Sequence, residues 1–502
     1  MTRREAIDYI IDRLIAGEED LGQIKREAGN KFKISSMITN PEILAQFPAS
    51  KLTSKIKDML IKKPTKTISG VTPVAVMIKP QDSCKYACIY CPFTGLAAKS
   101  YLGYEPAALR GRNFSFDPYM QVSSRAEQFE TGGHATDKCE VIIMGGTFLG
   151  MDKNYKEYFI KGVYEGLNGK RSHTLQHAIK TNETAKHRVI GLTIETRPDM
   201  CSQYIDEMLS YGATRVELGV QHADDEIYKI INRGHTTADV ISATRDLKDA
   251  AFKVLYHIMP GLPGSNMKKD IAFVKKLFND KNFRPDMLKI YPTLVVGGTV
   301  LQKWAEEGKY NPYTTEEAAE VISEFYRYIP KYVRVMRIQR DIPAGRINSG
   351  VRKSNLRELV EAKLREKGII PQEIRYREVK RKHIKLADFE LKRLDYEASQ
   401  GKEIFLSYEN ENLIAGFLRL RFPQETSVAF VRELHVYGSE VPISGNGKVQ
   451  HKGFGSKLLQ EAEEIAKENG KEKMLIISGV GVRPYYSKYG YSFSGSYMCR
   501  NL

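Results

Sequence analysis

Short runs of apolar residues alternate with amphipathic segments through the middle of this chain. Six apolar runs predict buried β-strands, at residues 74–80, 141–144, 189–194, 215–220, 253–258 and 287–291. Segments with helical periodicity lie between them, at residues 154–166, 204–211, 237–250 and 267–278. Strands that alternate with helices form βα units around a parallel sheet. The pattern therefore predicts a partial or full α/β barrel over residues 71–330, with its chemistry at the C-terminal ends of the strands.

The two flanks of the predicted barrel have different patterns. In residues 1–70 apolar side chains recur at helical spacing, beginning with Ile7, Ile10, Ile11 and Leu14, and lysines are interleaved further along. This predicts a basic helical N-terminal region in which one side packs and the other is cationic, although a solvated helix face explains the lysines equally well. Residues 331–385 are strongly basic and irregular, which indicates a connector with its own helix over residues 356–367.

The C-terminal part of the chain, residues 386–502, changes structural class. Its apolar pattern predicts strands at residues 404–408, 413–421, 428–436 and 474–478, with a turn at 409–412 between the first two. An amphipathic helix is predicted to open near residue 453 and to run to about residue 469. Antiparallel strands followed by a helix and a further strand predict a separate α+β domain.

Composition narrows the class of protein. The chain has 502 residues, 42% of them hydrophobic and 27% charged, which is typical of a soluble globular protein of about three domains. No run approaches the ~18 consecutive apolar residues of a membrane span, so we expect no membrane partner. Six cysteines, three of them clustered, favour a reducing compartment, and we expect a cytoplasmic protein.

The charge balance bears on what the protein binds. Lysine and arginine total 77 against 61 aspartate and glutamate residues, which gives a formal net charge of +16. Such a balance favours a polyanion partner, because each phosphate that is neutralised releases counterions. A generally basic proteome would give the same charge, so charge alone leaves the partner open.

Three cysteines stand close together directly after the first predicted strand. Cys84, Cys88 and Cys91 have the spacing C-x3-C-x2-C, whereas the other three cysteines of the sequence stand alone. Thiolates at this spacing can hold one iron–sulfur cluster from a single loop, while zinc usually takes four ligands in paired C-x2-C motifs. The spacing resembles the signature of the radical-SAM superfamily, in which three thiolates leave one iron of a four-iron cluster open to S-adenosylmethionine. Three buried structural cysteines are the alternative.

Glycine and polar residues follow the other predicted barrel strands. Gly145 and Gly146 end the second strand in MGGTF, where a backbone without side chains can approach a ligand closely; a plain turn is the alternative. Glu195 and Gln221 follow the third and fourth strands, and Lys289 lies inside the sixth. Buried strands seldom carry such groups without partners, so each one predicts either a functional role or a structural ion pair.

A glycine motif opens the predicted C-terminal helix. The motif consists of Gln450, His451, Lys452, Gly453, Phe454, Gly455 and Ser456. A Q-x-x-G-x-G pattern at a helix N-terminus presents backbone amides to an anion such as pyrophosphate, and strands before it with a helix after it fit an acyl-CoA site. Tyr485 and Tyr486 lie where such domains place a tyrosine near the acyl thioester. A tyrosine-rich hydrophobic edge is the alternative.

Together these pieces resemble one family over nearly the whole chain: the catalytic subunit of Elongator, in its single-chain archaeal or bacterial form. The phrases that carry the resemblance include CKYACIYCP, MGGTF, IGLTIETRPDMC, TRVELGVQ, FRPDMLKIYPTLVV, QHKGFGSKLL and SGVGVRPYYSKYGY. That family joins a radical-SAM barrel to a GNAT-type acetyltransferase-like domain. It makes 5-carboxymethyluridine at the wobble position of certain tRNAs, using acetyl-CoA.

The resemblance implies roles for the residues named above. The three clustered cysteines would hold a [4Fe-4S] cluster, and S-adenosylmethionine would be bound by Gly145, Gly146, Thr147, Glu195 and Gln221. Acetyl-CoA would be bound by the glycine motif with Tyr485 and Tyr486, which are expected to act in catalysis together with Lys289. A 5′-deoxyadenosyl radical would take hydrogen from the acetyl methyl group, and the carbon radical would add to C5 of uridine 34.

The resemblance also implies binding partners, and it leaves two alternative functions open. We expect the tRNA anticodon arm, an external electron donor, and either a second copy or other Elongator-like subunits. Residues 374–378 carry no cysteine where many archaeal relatives do, so no zinc site is expected in the connector. One rival is a protein lysine acetyltransferase, with Glu433 or His435 as its general base. The other is a non-catalytic tRNA-binding scaffold.

Overall fold

The N-terminal region folds into four short helices with a core of their own. The computed structural model describes residues 2–61, 67, 70–81, 84–146, 148–379, 388–437 and 453–502. Thr2 and Thr39 begin the first and third helices with capping boxes, in which Glu5 and Glu42 accept a hydrogen bond from the cap backbone in return. The predicted apolar stripe of the first helix is buried in this core. The helices are α1 (Arg3–Ile15), α2 (Leu21–Lys31), α3 (Asn40–Gln46) and α4 (Ser54–Leu60).

A parallel sheet of seven strands forms the centre of the molecule, as a partial barrel. Its members are β1 (Thr72–Met77), β2 (Lys138–Met144), β3 (Arg188–Thr196), β4 (Arg215–Gln221), β5 (Lys253–Ile258), β6 (Met287–Ile290) and β8 (Arg334–Ile338), while β7 (Val295–Val296) pairs with β9 (Ile347–Ser349). The strand order is β1-β2-β3-β4-β5-β6-β8. In the described part of the chain β1 and β8 are therefore the two edges of the sheet, and the barrel is open between them.

Helices cover the outer face of this sheet and fill the connections. They are α5 (Pro106–Asn113), α6 (Pro118–Thr131), α7 (Lys153–Asn168), α8 (Leu175–Asn182), α9 (Pro198–Cys201), α10 (Ile205–Ser210), α11 (Asp225–Ile230), α12 (Thr237–Asp249), α13 (Met267–Asn279), α14 (Val300–Glu306) and α15 (Thr315–Phe325). No helix among the described residues has both the length and the apolar character that crossing a membrane requires.

The sheet extends beyond the predicted boundary at residue 330. β8 pairs in parallel with β6, from Arg334 opposite Met287 to Ile338 opposite Ile290. The six predicted strands are all present, but the prediction of an irregular connector from residue 331 was wrong where it missed this seventh strand. The strand was missed because its arginines resemble a charged loop, whereas Arg334 lies in an ion pair with Glu378 at 2.7 Å. The remaining connector contains α16 (Leu356–Glu366), close to its predicted range, and α17 (Ile374–Arg377).

The C-terminal domain is a second seven-stranded sheet. It contains β10 (Glu390–Ala398), β11 (Gly401–Asn410), β12 (Leu413–Phe422), β13 (Val428–Val436), β14 (Lys473–Ile476), β15 (Ser492–Ser494) and β16 (Tyr497–Asn501), with α18 (Phe454–Glu468) and α19 (Arg483–Ser487). Its order is β10-β11-β12-β13-β14-β16-β15, and only β13 and β14 are parallel among its neighbouring pairs. The predicted turn at 409–412 is shorter, because β11 continues to Asn410. β10 was not predicted, since most of its side chains are polar and exposed.

An ionic network and a close backbone approach join the domains. Arg421 donates to Asp249 at 2.6 Å, and Glu403 accepts hydrogen bonds from both Arg421 and Arg432. A Cβ atom on Gly479 would lie 2.0 Å from the carbonyl oxygen of Ile190 in β3. The C-terminal domain therefore packs directly against the barrel, and the two sheets are held in one arrangement.

Candidate active site

One cavity of about 610 Å³ lies inside the open barrel. It is lined at the C-terminal ends of the strands, where a barrel of this kind places its chemistry. The cavity brings together most of the predicted barrel residues, which come from well-separated parts of the chain. These are Cys84, Cys88, Cys91, Gly146, Glu195, Gln221 and Lys289.

The cysteine loop is held by backbone hydrogen bonds to distant segments. Ile89 donates its N–H to the carbonyl of Ile231 at 3.1 Å, and its own carbonyl accepts from the N–H of Leu301 at 2.9 Å. Asn232 donates from its side chain to the carbonyl of Ala87 at 3.0 Å. The loop is therefore fixed from both sides, and the three thiols are presented to the cavity by an ordered backbone.

Two arginines set the electrostatics around the thiols. Arg233 Nη1 donates to Cys88 Sγ at 3.5 Å, and the guanidinium of Arg197 lies 4.0 Å from the ring centroid of Tyr86. Burial by itself would raise the pKa of Cys88, but Arg233 and then Arg197 outweigh it, so that the pKa is lowered. Burial and the neighbouring Cys88 raise the pKa of Cys91 to about 11. The positive charges thus favour a thiolate at the centre of the loop.

The groups around the thiols fit an iron–sulfur cluster. Tyr90 Oη, Arg197 Nη1 and Arg233 Nε are buried and have no hydrogen-bond partner among the described residues. A cluster ligated by three thiolates carries negative charge, and unused donors and cations beside its sulfurs would stabilise it. Arg233 was not predicted from the sequence, because it follows a short helix and carries no periodic or motif signal of its own.

Gly145 and Glu195 build the adjoining wall. Gly145 has a φ of +128°, and a Cβ atom there would lie 2.6 Å from Ile78 Cδ1, so the position requires glycine. Glu195 Oε2 accepts from the Gly145 N–H at 3.2 Å and from the hydroxyl of Tyr101 at 2.8 Å. Gly146 faces open space, with nothing within 4 Å of its Cβ position. An ammonium group next to this carboxylate and the open glycine would find a complementary surface, whereas Thr147 lies outside the described residues.

Gln221 and Lys289 occupy different parts of the cavity. Gln221 ends β4 with a φ of +68°, a conformation that residues with side chains rarely adopt, and this turns the chain at the cavity wall. Lys289 forms a close ion pair with Glu217, which also lies 2.7 Å from His257 Nε2. Burial would lower the pKa of Lys289, but Glu217 outweighs it and raises the pKa. Lys289 is thus a paired ammonium group that lines the cavity.

The second site lies at the start of α18. Gly453 precedes the helix with a φ of +85° and provides no side-chain cap, so no described side chain caps the first amides of this 15-residue helix, and their N–H groups suit an anionic ligand. A Cβ atom on Gly455 would lie 2.7 Å from Tyr485 Oη. Tyr485 and Tyr486 contact each other edge to face at 5.2 Å. Gln450, His451 and Lys452 lie outside the described residues, whereas Phe454 is buried and Ser456 donates to the Gly453 carbonyl at 2.8 Å.

Among the described residues, the strand next to this site is paired on that side only in its first half. β13 pairs with β14 from Val428 to Val431, whereas β13 itself continues to Val436. No described strand pairs with the second half of β13 on this side, which leaves its backbone available there to a ligand that lies between the strands. An anion at the helix N-terminus with an extended chain along β13 fits this geometry.

Comparison with protein families assigns a class to both halves. Residues 78–277 match the Radical SAM superfamily, residues 285–366 match the Radical_SAM C-terminal domain, and residues 373–491 match the Acetyltransferase (GNAT) family. The chain is thus a radical-SAM protein with a fused GNAT domain, and these two classes imply S-adenosylmethionine, an iron–sulfur cluster and acetyl-CoA. The match from residue 285 to 366 spans β8, which agrees with its place in the barrel sheet.

Comparison with individual proteins narrows the class. A "tRNA uridine(34) acetyltransferase" of Methanocaldococcus jannaschii is 46% identical, over 99% of this chain and 97% of that protein. "Elongator complex protein 3" of Homo sapiens is 39% identical, over 100% of this chain and 97% of that protein. The structure of the archaeal Methanocaldococcus infernus Elp3 with an N-terminal deletion matches with a TM-score of 0.77 and 45% identity, over 87% of this chain and 100% of that one. The chain belongs to the Elongator complex protein 3 family.

Proposed function

We propose that this protein modifies the wobble uridine of tRNA, transferring a carboxymethyl group derived from acetyl-CoA to C5 of uridine 34. The observation that carries the proposal is the pairing of two sites in one rigidly joined chain. One site is the cavity with three thiols beside two arginines. The other is an uncapped helix N-terminus beside separated strands. An acetyltransferase alone would have no use for the first site.

Cys84, Cys88 and Cys91 would hold a [4Fe-4S] cluster, with S-adenosylmethionine beside it. When bound, this pair supplies a radical that can take a hydrogen atom from a methyl group. The residues of the chain bind and orient the reactants: Glu195, held by Tyr101 and the Gly145 amide, receives the amino group of the cofactor. Gln221 closes the wall at the end of β4. The apolar walls of the cavity limit the access of water, and a bound substrate that fills its opening would protect a reactive intermediate from side reactions.

Lys289 contributes charge to the same cavity. Its ammonium group pairs with Glu217. A cation at this position stabilises negative charge on a carbonyl oxygen or a base edge that enters the cavity. Because Glu217 raises the pKa of Lys289, the side chain stays protonated at neutral pH and acts as a fixed charge rather than as a general base.

Acetyl-CoA would bind at the C-terminal domain. The amides of Gly453, Phe454 and Gly455 would receive the pyrophosphate, together with Gln450, His451, Lys452 and Ser456 of the same motif. Tyr485 and Tyr486 would face the acyl thioester. Burial raises the pKa of Tyr485, and hydrogen bonding with Tyr489 adds to this, so its hydroxyl is a neutral donor rather than a phenolate.

The RNA would be gripped by the basic segments on either side of the barrel. The net charge of +16 favours a phosphate backbone. We assign residues 1–70 to RNA binding, residues 71–330 together with β8 to the radical-SAM barrel, the rest of 331–385 to a basic connector and residues 386–502 to acetyl-CoA binding. An external electron donor, other Elongator-like subunits or a second copy, and a cytoplasmic location complete the proposal.

The rival acetyltransferase function has weaker support. Glu433 accepts a hydrogen bond from Arg419 at 2.8 Å. Burial would raise the pKa of Glu433, but Arg419 and Lys253 outweigh it and lower the pKa. Burial lowers the pKa of His435, which keeps its imidazole neutral. A carboxylate held by two cations is a poor base for a lysine amine, so only His435 remains for that role among the two residues considered.

The test uses anaerobically reconstituted protein with dithionite, S-adenosylmethionine, acetyl-CoA and bulk tRNA. The tRNA is digested, and carboxymethyluridine is measured by mass spectrometry. We expect product with the natural protein and with Cys499→Ala, whose cysteine lies in β16 far from the loop, and no product with Cys88→Ala. Protein that holds a cluster and binds tRNA but makes no product would contradict the proposal.

A further inference from the structure

The opening of the barrel lies between its two edge strands, and the cavity reaches both. Pro73 and Ala75 of β1 line it on one side, and Arg337 of β8 lines it on the other. The other barrel strands are paired on both sides. The gap between β1 and β8 is therefore one route by which a substrate too large to be enclosed can reach the cavity.

Two arginines stand at the β1 side of this opening. Arg110 of α5 and Arg125 of α6 both line the cavity. Arg110 Nη2 donates to the carbonyl of Ala75 on the free edge of β1 at 2.5 Å. The guanidinium of Arg125 lies 4.1 Å from the ring centroid of Phe129, and its Nη1 bonds Gln128. Arg110 is thus held by one contact and Arg125 by two, and the other N–H donors of each guanidinium have no hydrogen-bond partner among the described residues.

Arg110 and Arg125 have no carboxylate partner among the described residues, in contrast to Lys289 and Arg337 of the same cavity. Lys289 pairs with Glu217 and Arg337 pairs with Asp341, but no described carboxylate lies within 4.0 Å of either guanidinium. The Nε atoms of both are buried and have no hydrogen-bond partner among the described residues. Burial, together with the neighbouring Arg125, lowers the pKa of Arg110 to about 10, and burial lowers the pKa of Arg125. Two half-buried cations without a counter-ion repel each other, and an anion between them would offset that repulsion.

We propose that Arg110 and Arg125 bind one phosphodiester of the RNA strand whose target base lies in the barrel cavity. Planar guanidinium groups match phosphate oxygens in a bidentate way, and a partly buried site strengthens the contact. The pyrophosphate of CoA has its own site at the α18 N-terminus, in the other domain. A nucleotide chain that enters through the gap between β1 and β8 would pass Arg110 and Arg125 as it places a base inside. This inference rests on the proposed function and adds the point at which the RNA backbone is held.

The test measures binding of an anticodon stem-loop without S-adenosylmethionine or reductant. Arg110→Gln and Arg125→Gln are compared with Arg327→Gln, whose surface arginine is paired with Glu324. We expect each cavity variant to lose about 10-fold in RNA affinity, and the slope of log affinity against log salt to become shallower by ~0.7 for the lost phosphate contact. Arg125→Lys keeps the charge and should retain part of the affinity. Acetyl-CoA affinity should not change in any of them.

A second experiment identifies which phosphate of the RNA is bound. One phosphodiester of the loop at a time is replaced by a neutral methylphosphonate. We expect one position at which the natural protein loses affinity while Arg110→Gln and Arg125→Gln lose none. If the variants do not fold, the scan on the natural protein decides, because the absence of any sensitive position would overturn the inference.

The remaining outcomes separate the two proposals. The phosphate site is overturned if the variants bind RNA like the natural protein, or if they lose acetyl-CoA affinity instead. The proposed function still stands in that case, provided that the natural protein makes carboxymethyluridine. A natural protein that neither binds nor modifies the RNA overturns both the site and the proposed function.

Discussion

Arg432 and Asp286 face each other across the boundary between the two domains, and both are fully buried. Arg432 Nη2 donates to Asp286 Oδ1 at 2.6 Å, and Nη1 donates to Oδ2 at 2.8 Å, so the guanidinium and carboxylate meet as a two-pronged pair. Asp286 immediately precedes β6, at the N-terminal end of the barrel strands. The C-terminal domain is therefore anchored at the end of the barrel opposite the thiol loop.

Removing one partner of this pair should destabilise the whole chain. Asp286→Ala leaves the Arg432 guanidinium buried without its main partner, which costs about 3–5 kcal/mol in such cases. We expect a clear loss of the thermal midpoint by calorimetry. Replacing Asp286 and Arg432 together with apolar residues should cost less than the single change. Equal losses in the single and double variants would contradict the importance of the pairing.

The same pair predicts an acid limit to stability. Burial would raise the pKa of Asp286, but Arg432 and Lys248 outweigh it, and the folded-state pKa lies below the usual range. A carboxyl group with a lowered folded pKa contributes stability above its unfolded pKa of about 3.9, and loses that contribution as the pH falls toward the folded value. Thermal midpoints measured from pH 7 to pH 3 should fall below about pH 4. Asp286→Asn, already less stable at pH 7, should fall less steeply; parallel curves would exclude this carboxyl as a cause.

Two neighbouring glycines should respond differently to alanine. Gly145→Ala forces a Cβ atom against Ile78 at a φ of +128°, so we expect lower stability and loss of S-adenosylmethionine binding. Gly146→Ala meets nothing within 4 Å, so it should fold normally and lose only cofactor affinity, because its Cβ atom would occupy the space for the ligand. Thermal midpoints and equilibrium dialysis with the cofactor check both. Normal cofactor affinity in Gly146→Ala would place the ligand elsewhere.

Gly455 offers a test of the second site with a built-in rescue. In Gly455→Ala the new Cβ atom would lie 2.7 Å from Tyr485 Oη, so the ring must move and we expect acetyl-CoA affinity to fall about 10-fold. Tyr485→Phe removes the clashing oxygen, and the double variant should recover part of the affinity. Cleavage of S-adenosylmethionine in the barrel should stay normal in both. Absence of rescue would mean that the glycine acts through the helix rather than through the tyrosine.

The Lys289–Glu217 pair should show strong coupling. Lys289→Met leaves Glu217 with His257 and Arg215 as its remaining partners and removes a charge from the cavity, so we expect product formation to fall by about 100-fold. Adding Glu217→Gln removes the unbalanced carboxylate and should restore stability but not turnover. Thermal midpoints and single-turnover product yields measure the two effects. Restored turnover in the double variant would mean that Lys289 serves structure alone.

Much of the architecture follows from patterns that survive without tertiary contacts. Apolar runs such as VIGLTI at residues 189–194 predicted the inner barrel strands, because strands buried on both faces need apolar residues throughout. The pattern failed for β8 and β10. β8 carries arginines that find partners only in the folded protein, and most of the side chains of β10 are exposed, so neither has the hydrophobic signal on which the prediction depends.

The sequence by itself determined the chemistry of the chain. Three thiols follow the first strand, two glycines end the second, and a glycine motif suited to phosphate binding precedes the C-terminal helix. Each of these features depends on residues that are close together in the chain. Only the tertiary structure decided which distant groups meet. Arg233 lies beside Cys88, Arg432 faces Asp286, and Arg110 and Arg125 stand at the open edge of the barrel without a carboxylate partner among the described residues. The reason is physical: a charge takes its role from the groups within a few ångströms of it, and folding alone brings those groups together.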